Sequence, residues 1–558
     1  MTAWLALALL APSPTQTVSQ QKFKQAVVVS DSQIASEVGA AILKQGGNAV
    51  DAAIATHFAL AVTFPTAGNL GGGGFMVVRM ADGQTSAIDY RETAPAAATR
   101  DMYLGPDGQA DPALSLEGWK AVAVPGSVAG MAEAHRMYGT LPWKALVEPA
   151  FALADKGFVV SDSLANQLRA KMSLFRRFPG AYEAFNRSGK PYEWGETFVQ
   201  PSLAKVLRRI ADQGPREFYE GETAQRLASE MKRNGGLITV EDLASYRAVV
   251  RKPIEFDYRG HRVLTMPPPS SGGVAVGQML RMLEPFDLRE MGFHSAQRTH
   301  LLIEVMKRAF ADRAEFMGDP DHVRVPVAEM MADERLTEMR KSIRPDAATP
   351  ASEINPRGSI PPREGDHTTH FTVVDAKGNA VSNTTTINTG YGSGVAVEGL
   401  GFLLNNEMDD FAAQPGKPNG YGLVQGEANA VGPRKRPLSS MTPTLVLLDG
   451  KLVLALGSPG GPTIINTVLQ TILNVLDHRM NIQQAVSAPR LHHQWLPDEI
   501  RTEPFGVSNE TRAALEKLGH KFGAPSTMGS CHAVFVEPSG ARVAGVDPRI
   551  AGAGAAGY

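Results

Sequence analysis

Thr368 stands in the stretch Asp366-His367-Thr368-Thr369-His370-Phe371-Thr372-Val373-Val374-Asp375, where two polar residues precede a Thr-Thr pair and a strand pattern follows at once. A threonine hydroxyl is too weak an acid to attack an amide unaided, so it needs a base. If the peptide bond between His367 and Thr368 is cut, the released α-amine becomes that base. An α-amine titrates near pH ~8, so a useful fraction is neutral at pH 7. The residue type and its place therefore suit a nucleophile made by cutting the chain. Thr-rich strands also occur simply because β-branched residues suit the pleat, so this pattern alone leaves both readings open.

Other residues could complete such chemistry. The turn Ala376-Lys377-Gly378-Asn379 leads into a second hydroxyl-rich strand, Ser382-Asn383-Thr384-Thr385-Thr386-Ile387-Asn388. Period-2 alternation puts Thr384, Thr386 and Asn388 on one face, and the hairpin can bring Thr386 and Asn388 close to Thr368. In Gly457-Ser458-Pro459-Gly460-Gly461-Pro462-Thr463 a strand meets a glycine turn before a helix with Ile464, Ile465, Val468, Leu469, Ile472 and Leu476 on its buried face. Backbone N–H groups at a positive helix end can form an oxyanion hole, and a plain tight turn explains the same residues. Arg91 follows a strand in Asp89-Tyr90-Arg91-Glu92. It either presents a fork to a carboxylate or pairs with Glu92 on the surface.

The elements that must hold these residues are legible in part. Ala26-Val27-Val28-Val29-Ser30 reads as a strand, and Ser32 as the cap of a helix carrying Ile34, Val38, Ile42 and Leu43. Gly46-Gly47-Asn48 ends that helix, and an Ala-rich helix runs from Ala49 to Val62, with His57 as a packed, satisfied histidine. Gly71 to Gly74 lack the strand, helix and Lys-Ser/Thr of a phosphate loop, so they predict close backbone packing before the strand Phe75–Arg79. Gly390-Tyr391-Gly392-Ser393-Gly394 has no helix or distant acid after it and is not a dinucleotide fingerprint. Residues 110–320 read as mostly helical, most clearly from Ala296 to Arg313, with a loop at Pro267–Gly273. Residues 340–367 have a linker composition. Leu403 to Phe411 reads as a strand running into an acidic turn, and Gln414 to Pro433 as a long, lid-like loop. Strands at Thr444–Leu448 and Lys451–Leu456 join at Asp449-Gly450, and residues 530–558 form a hairpin and a small-residue tail.

The totals exclude several classes. The 558 residues carry 43% hydrophobic and 20% charged side chains, so the chain is globular rather than disordered. A net charge of -2 without a long basic run argues against nucleic acid. The single cysteine, Cys531, makes no internal disulfide and reads as a small buried thiol. Residues 3–11 form an apolar run too short to span a membrane, ended by Pro12 and Pro14. Residues 1–21 resemble a signal peptide and linker without its basic n-region, which points to an exported, periplasmic or extracellular protein. No His, Cys or Asp cluster shows metal-ligand spacing, His492-His493 included. No metal or other cofactor is expected.

Taken in order, the motifs resemble those of the gamma-glutamyltransferase (gamma-glutamyltranspeptidase) family of N-terminal-nucleophile hydrolases. They are Gly46-Gly47-Asn48-Ala49-Val50-Asp51-Ala52-Ala53, Gly68-Asn69-Leu70 with Gly71 to Gly74, Arg91-Glu92, Thr368-Thr369-His370, Asn405-Asn406-Glu407-Met408-Asp409-Asp410, Pro437-Leu438-Ser439-Ser440-Met441 and Gly457-Ser458-Pro459-Gly460-Gly461. The resemblance implies an α+β fold, a four-layer αββα sandwich built jointly by a large subunit, 22–367, and a small subunit, 368–558. It implies self-cleavage between His367 and Thr368, with Thr368 as nucleophile, its freed α-amine as base and Thr386 holding it in place. Gly460 and Gly461 are implied as oxyanion donors. Arg91, Ser439 and Ser440 are implied to bind the α-carboxylate of a γ-glutamyl group, and Asn388, Glu407 and Asp410 its α-amine. The charges agree independently, since a free α-amino acid end needs donors on one side and anionic acceptors on the other. The implied substrates are glutathione and other γ-glutamyl amides, with water, amino acids or dipeptides as acceptors. The alternatives are a glutaryl-type (cephalosporin) acylase and an uncleaved, inactive γ-glutamyl binding protein.

Overall fold

A computed structural model describes residues 20–355, 359–360, 367–415 and 424–558. Two seven-stranded antiparallel sheets form its centre. One runs, edge to edge, Gly554–Gly557, Val27–Ser30, Thr368–Val374, Ala380–Thr386, Gly73–Arg79, Thr85–Asp89 and Val249–Arg251. The other runs Gln21–Phe23, Arg542–Gly545, His532–Val536, Lys451–Gly457, Thr444–Leu448, His261–Thr265 and Ile254–Tyr258. Both sheets combine strands from before and after Thr368, so neither half of the chain completes a sheet alone.

Alternation along the strands sorts their side chains between two cores. Val28, Met76, Val78, Phe371, Val373 and Val381 face the helices Gln33–Lys44 and Ala49–Thr63. Val27, Val29, Phe75 and Val77 face the other sheet, whose far side is covered by the helices Gly272–Leu283, Ala296–Phe316 and Thr463–Leu476. The result is the expected α+β order of helix, sheet, sheet, helix. Between the sheets the central strands carry hydroxyls. Ser382 Oγ donates to the Leu456 carbonyl at 2.8 Å, and Thr372 Oγ1 to the His532 carbonyl at 3.0 Å.

Local chemistry explains the elements around the site. Ser32 accepts from the Ala35 N–H and caps the first helix. Asn48 and Asp51 form a capping box on the next, whose side chains are buried on every face, as fits a helix between layers. His57 lies within it. It is packed as expected, and burial lowers its pKa to about 4 although a hydrogen bond with the Asn69 backbone opposes the shift. The glycine run packs as anticipated: a Cβ on Gly72 would lie 2.0 Å from the Thr386 carbonyl oxygen, and one on Gly74 2.3 Å from that of Thr384. Cys531 is buried, which raises its thiol to about 11.

Several expectations need correction. The stretch read as mostly helical contains the strands at 249–251, 254–258 and 261–265. Leu403 and Leu404 make isolated bridges, and Glu407–Asp410 is a short 3-10 helix, so no strand runs into the acidic turn. The linker-like region holds the helix Ala351–Ile354 and the last residues of the helix Asp333–Lys341. The small-residue tail is a strand, Gly554–Gly557, paired with Val27–Ser30. Residues 1–19 of the signal peptide and linker and 416–423 of the lid-like loop lie outside the described residues, and the rest of the loop includes a short strand, Val424–Gln425, and a 3-10 turn, Glu427–Asn429. Among the described residues no helix is long and apolar enough to cross a membrane.

Candidate active site

Thr368 begins a central strand and pairs directly with Thr386. The Thr386 hydroxyl donates to the carbonyl of His367 at 3.1 Å, so it holds the oxygen of the bond between His367 and Thr368. It accepts the Asn388 N–H at 2.7 Å and lies 3.4 Å from Thr368 Oγ1, a long contact for two hydroxyls. Asn388 has φ 74 just past its strand and donates to the Asn406 carbonyl. Behind the strand start, Thr369 donates to Asp31 at 2.7 Å, and Asp31 also holds the His532 ring at 2.5 Å. This buried brace fixes the chain beside Thr368.

On one side of Thr368 lies a cavity of about 10 Å³, lined by Arg91, Thr386, Asn388, Glu407, Asp410, Ser439, Ser440 and Gly461. Its smallness has a cause. The cationic and anionic sides expected to face each other across a ligand are in contact, with Arg91 donating to both Glu407 and Asp410. Arg91 is not in a surface pair. It is 1% exposed and is further held by the Pro437 and Leu438 carbonyls. Burial works against its charge, but Glu407, Asp410 and Glu92 outweigh burial and raise its pKa. Burial, with Glu92 adding and Arg91 opposing, lifts the Glu407 carboxyl well above the usual carboxylate range. Ser440 Oγ is buried without a hydrogen-bond partner among the described residues. Ser439 Oγ accepts the Met441 N–H.

The glycine turn is at the boundary of this cavity and a larger one. Gly460 and Gly461 have φ 128 and 54, a conformation that side chains disfavour. Among the described residues neither N–H donates to a protein acceptor. They stand just before the helix Thr463–Leu476, where backbone donors and the helix dipole favour negative charge.

A profile of the gamma-glutamyltranspeptidase family matches residues 35–557. The chain belongs to that family. The glutathione hydrolase proenzyme of Escherichia coli (strain K12) is 50% identical over 536 residues, covering 96% of this chain and 92% of that one. The cephalosporin acylase from Bacillus halodurans superposes with a TM-score of 0.84 at 28% identity, over 100% of this chain and 99% of that one. The Helicobacter pylori gamma-glutamyltranspeptidase chain gives a TM-score of 0.58 at 40% identity, over 61% of this chain and 97% of its own.

Within this family member, three features escaped the sequence reading. Glu92 is buried beside Arg91, 3.7 Å away, and burial raises it to about 7 although Arg91 opposes the rise. Asp31 and His532 brace Thr369 from positions 501 residues apart. His300, Glu304 and His520 bring three ligand-type atoms within 4.8 Å of one another. The i, i+4 spacing of His300 and Glu304 was the overlooked signal. This group reads as an ion-pair network rather than a metal centre, because the His300 and His520 rings bond each other at 2.8 Å and Glu304 is paired with Arg308 and Lys307.

Proposed function

We propose that the chain cuts itself between His367 and Thr368 and then acts as a γ-glutamyl transferase and hydrolase through Thr368. The observation that carries this reading is the Thr386 hydroxyl, which polarises the carbonyl of the bond to be cut while lying beside Thr368 Oγ1. In the first step Thr368 Oγ adds to the His367 carbonyl carbon, the C–N bond breaks, and the proton passes to the new α-amine. Water then hydrolyses the ester, leaving His367 with a carboxylate and Thr368 with a free hydroxyl and amine. The proposed subunits are 22–367 and 368–558. In support, the Helicobacter pylori chain matches 61% of this one, close to the share that 22–367 occupies.

In turnover the Thr368 amine takes the hydroxyl proton, Oγ attacks the γ-carbonyl, and the Gly460 and Gly461 N–H groups receive the oxyanion. The proton goes to the departing amine. Water or an acceptor amine then resolves the acyl-enzyme. The head of the substrate needs Arg91 parted from Glu407 and Asp410. A zwitterionic α-amino acid can exchange these ion pairs, its carboxylate going to Arg91, Ser439 and Ser440 and its ammonium to Asn388, Glu407 and Asp410. Glutathione, as in the name of the Escherichia coli relative, has such a head. We also propose export through residues 1–21.

A glutaryl acylase is the second reading, favoured by the superposition on the Bacillus halodurans enzyme. A glutaryl group lacks the ammonium and would leave Glu407 and Asp410 without the cation taken from them. Release of nitroaniline from γ-glutamyl and glutaryl anilides decides between the two. The γ-glutamyl compound is expected to react faster, and faster glutaryl release would overturn the proposal. Ligand binding by an intact chain without turnover would favour a binding protein.

A further inference from the structure

Four segments far apart in the chain meet in one buried hydrogen-bond network next to Thr368. Asp31 follows the strand Val27–Ser30 and is buried. Its Oδ2 accepts the Thr369 hydroxyl at 2.7 Å and the His370 N–H at 3.3 Å. Its Oδ1 accepts from His532 Nε2 at 2.5 Å, so this carboxylate ties one central sheet to the other. His532 pairs in register with Gly457, and the Ser530 N–H donates to Ser458 Oγ at 2.9 Å. The Ser458 hydroxyl in turn donates to the Pro459 carbonyl at 2.7 Å. Thr369, Ser458, Ser530 and His532 are all buried, so water does not compete for these bonds. One end of the network is therefore bonded to Thr368, and the other reaches the glycine turn.

We propose that Asp31 and Ser458 are positioning residues, which through this network set the placement of the Thr368 nucleophile against the Gly460 oxyanion donor. The proposal rests on the roles given above to Thr368 and Gly460, which line one cleft of about 780 Å³. The peptide group is planar, so the Pro459 carbonyl and the Gly460 N–H point in opposite directions from one rigid plane. By holding the carbonyl, Ser458 aims the N–H. Gly460, at φ 128, has no Cβ to restrict that plane, so its aim depends on the hydrogen bond. On the other side, cleavage leaves Thr368 joined to the chain only through Thr369, and chain ends fray unless they are tied down. Asp31 ties Thr369 through its hydroxyl and through the N–H that follows it. Reacting groups need placement to within about 0.5 Å, which two independent loops would not supply and one shared network does.

The test measures kcat and KM for hydrolysis of γ-glutamyl-p-nitroanilide by the processed enzyme, with circular dichroism to confirm folding. Thr369→Val removes the donor to Asp31 and keeps the strand-forming shape. Ser458→Ala removes the hydroxyl at the glycine turn. Each is expected to lower kcat by about tenfold or more and to leave KM within about twofold of wild type, since a misplacement of about 1 Å costs on the order of 100-fold in rate. Thr369→Ser restores the hydroxyl and should recover most of kcat. The double variant should lose less than the product of the two single losses, because both act on one relative placement. Thr369→Val should slow self-cleavage less than turnover, because the uncut chain holds Thr368 from both sides. Asp31→Asn, with the same expected loss of kcat, carries the test if Thr369→Val fails to fold. Folded variants with wild-type kcat, losses that fall on KM, losses that simply multiply, or equal slowing of cleavage and turnover would overturn the proposal. A wild type that releases no nitroaniline would instead overturn the reading of Thr368 itself.

Discussion

Replacing Thr386 with valine tests one hydroxyl. Valine keeps the β-branched shape that suits the strand and removes only the hydroxyl. In the structure that hydroxyl donates to the His367 carbonyl at 3.1 Å and accepts the Asn388 N–H at 2.7 Å. When Thr368 Oγ adds to this carbonyl, its oxygen becomes an oxyanion, so the donor is worth more in the transition state than in the resting chain. Loss of one such donor slows acyl chemistry by about 100-fold to 1,000-fold, or roughly 2.7–4 kcal/mol. The buried Asn388 N–H also loses its acceptor, at a cost of about 1–3 kcal/mol in stability. The assay follows the uncut fraction against time by denaturing mass spectrometry, with circular dichroism as a check on folding. Thr386→Val should cut at least about 100-fold more slowly than the wild type, and Thr386→Ser should recover most of the rate. A folded Thr386→Val protein that cuts at the wild-type rate would refute the role given to this hydroxyl.

Three further outcomes follow from the charged cavity and the glycine turn. Glu92 titrates near about 7 rather than 4.5, so its neutral form favours the fold. That contribution is fully present below pH ~4.5 and is lost as the pH rises through about 7, a change on the order of 3 kcal/mol. Glu92→Gln should therefore raise the Tm relative to wild type at pH 8 and not at pH 4.5, and an equal Tm difference at both would contradict the burial argument. Asp410→Asn removes one anionic partner of Arg91, and should lower the ratio of γ-glutamyl to glutaryl anilide turnover by about tenfold or more; an unchanged ratio would mean that Asp410 does not read the ammonium. Gly460→Ala places a Cβ 3.0 Å from the Gly529 Cα at φ 128, so kcat should fall by about 100-fold. Wild-type kcat in a folded variant would remove Gly460 from the oxyanion site.

The parts of the site that lie close together in the chain were the readable ones. The Thr368 hairpin follows from alternation and a Gly-Asn turn, and the glycine turn before Thr463 from its strand and helix flanks. Arg91, Glu407 and Asp410 came together only through the family motifs, because 316 residues separate Arg91 from Glu407. Their direct pairing depends on tertiary packing that no local pattern encodes. Burial of Glu92 was hidden for the same reason. The strand Gly554–Gly557 has no β-branched residue and is defined by backbone pairing with Val27–Ser30. Ile254, Phe256 and Tyr258 do alternate, but in a segment of five residues amid long helical periodicities.

The central claim is that Thr368 acquires a free α-amine by cleavage of the chain. It is tested most directly by the intact mass of freshly purified protein under denaturing conditions. The account predicts two masses that divide the chain between His367 and Thr368 in the wild type, and a single uncut mass for Thr368→Ala. A wild-type protein that turns over γ-glutamyl anilide while showing one uncut mass, or a Thr368→Ala protein that still yields a fragment beginning at residue 368, would contradict it.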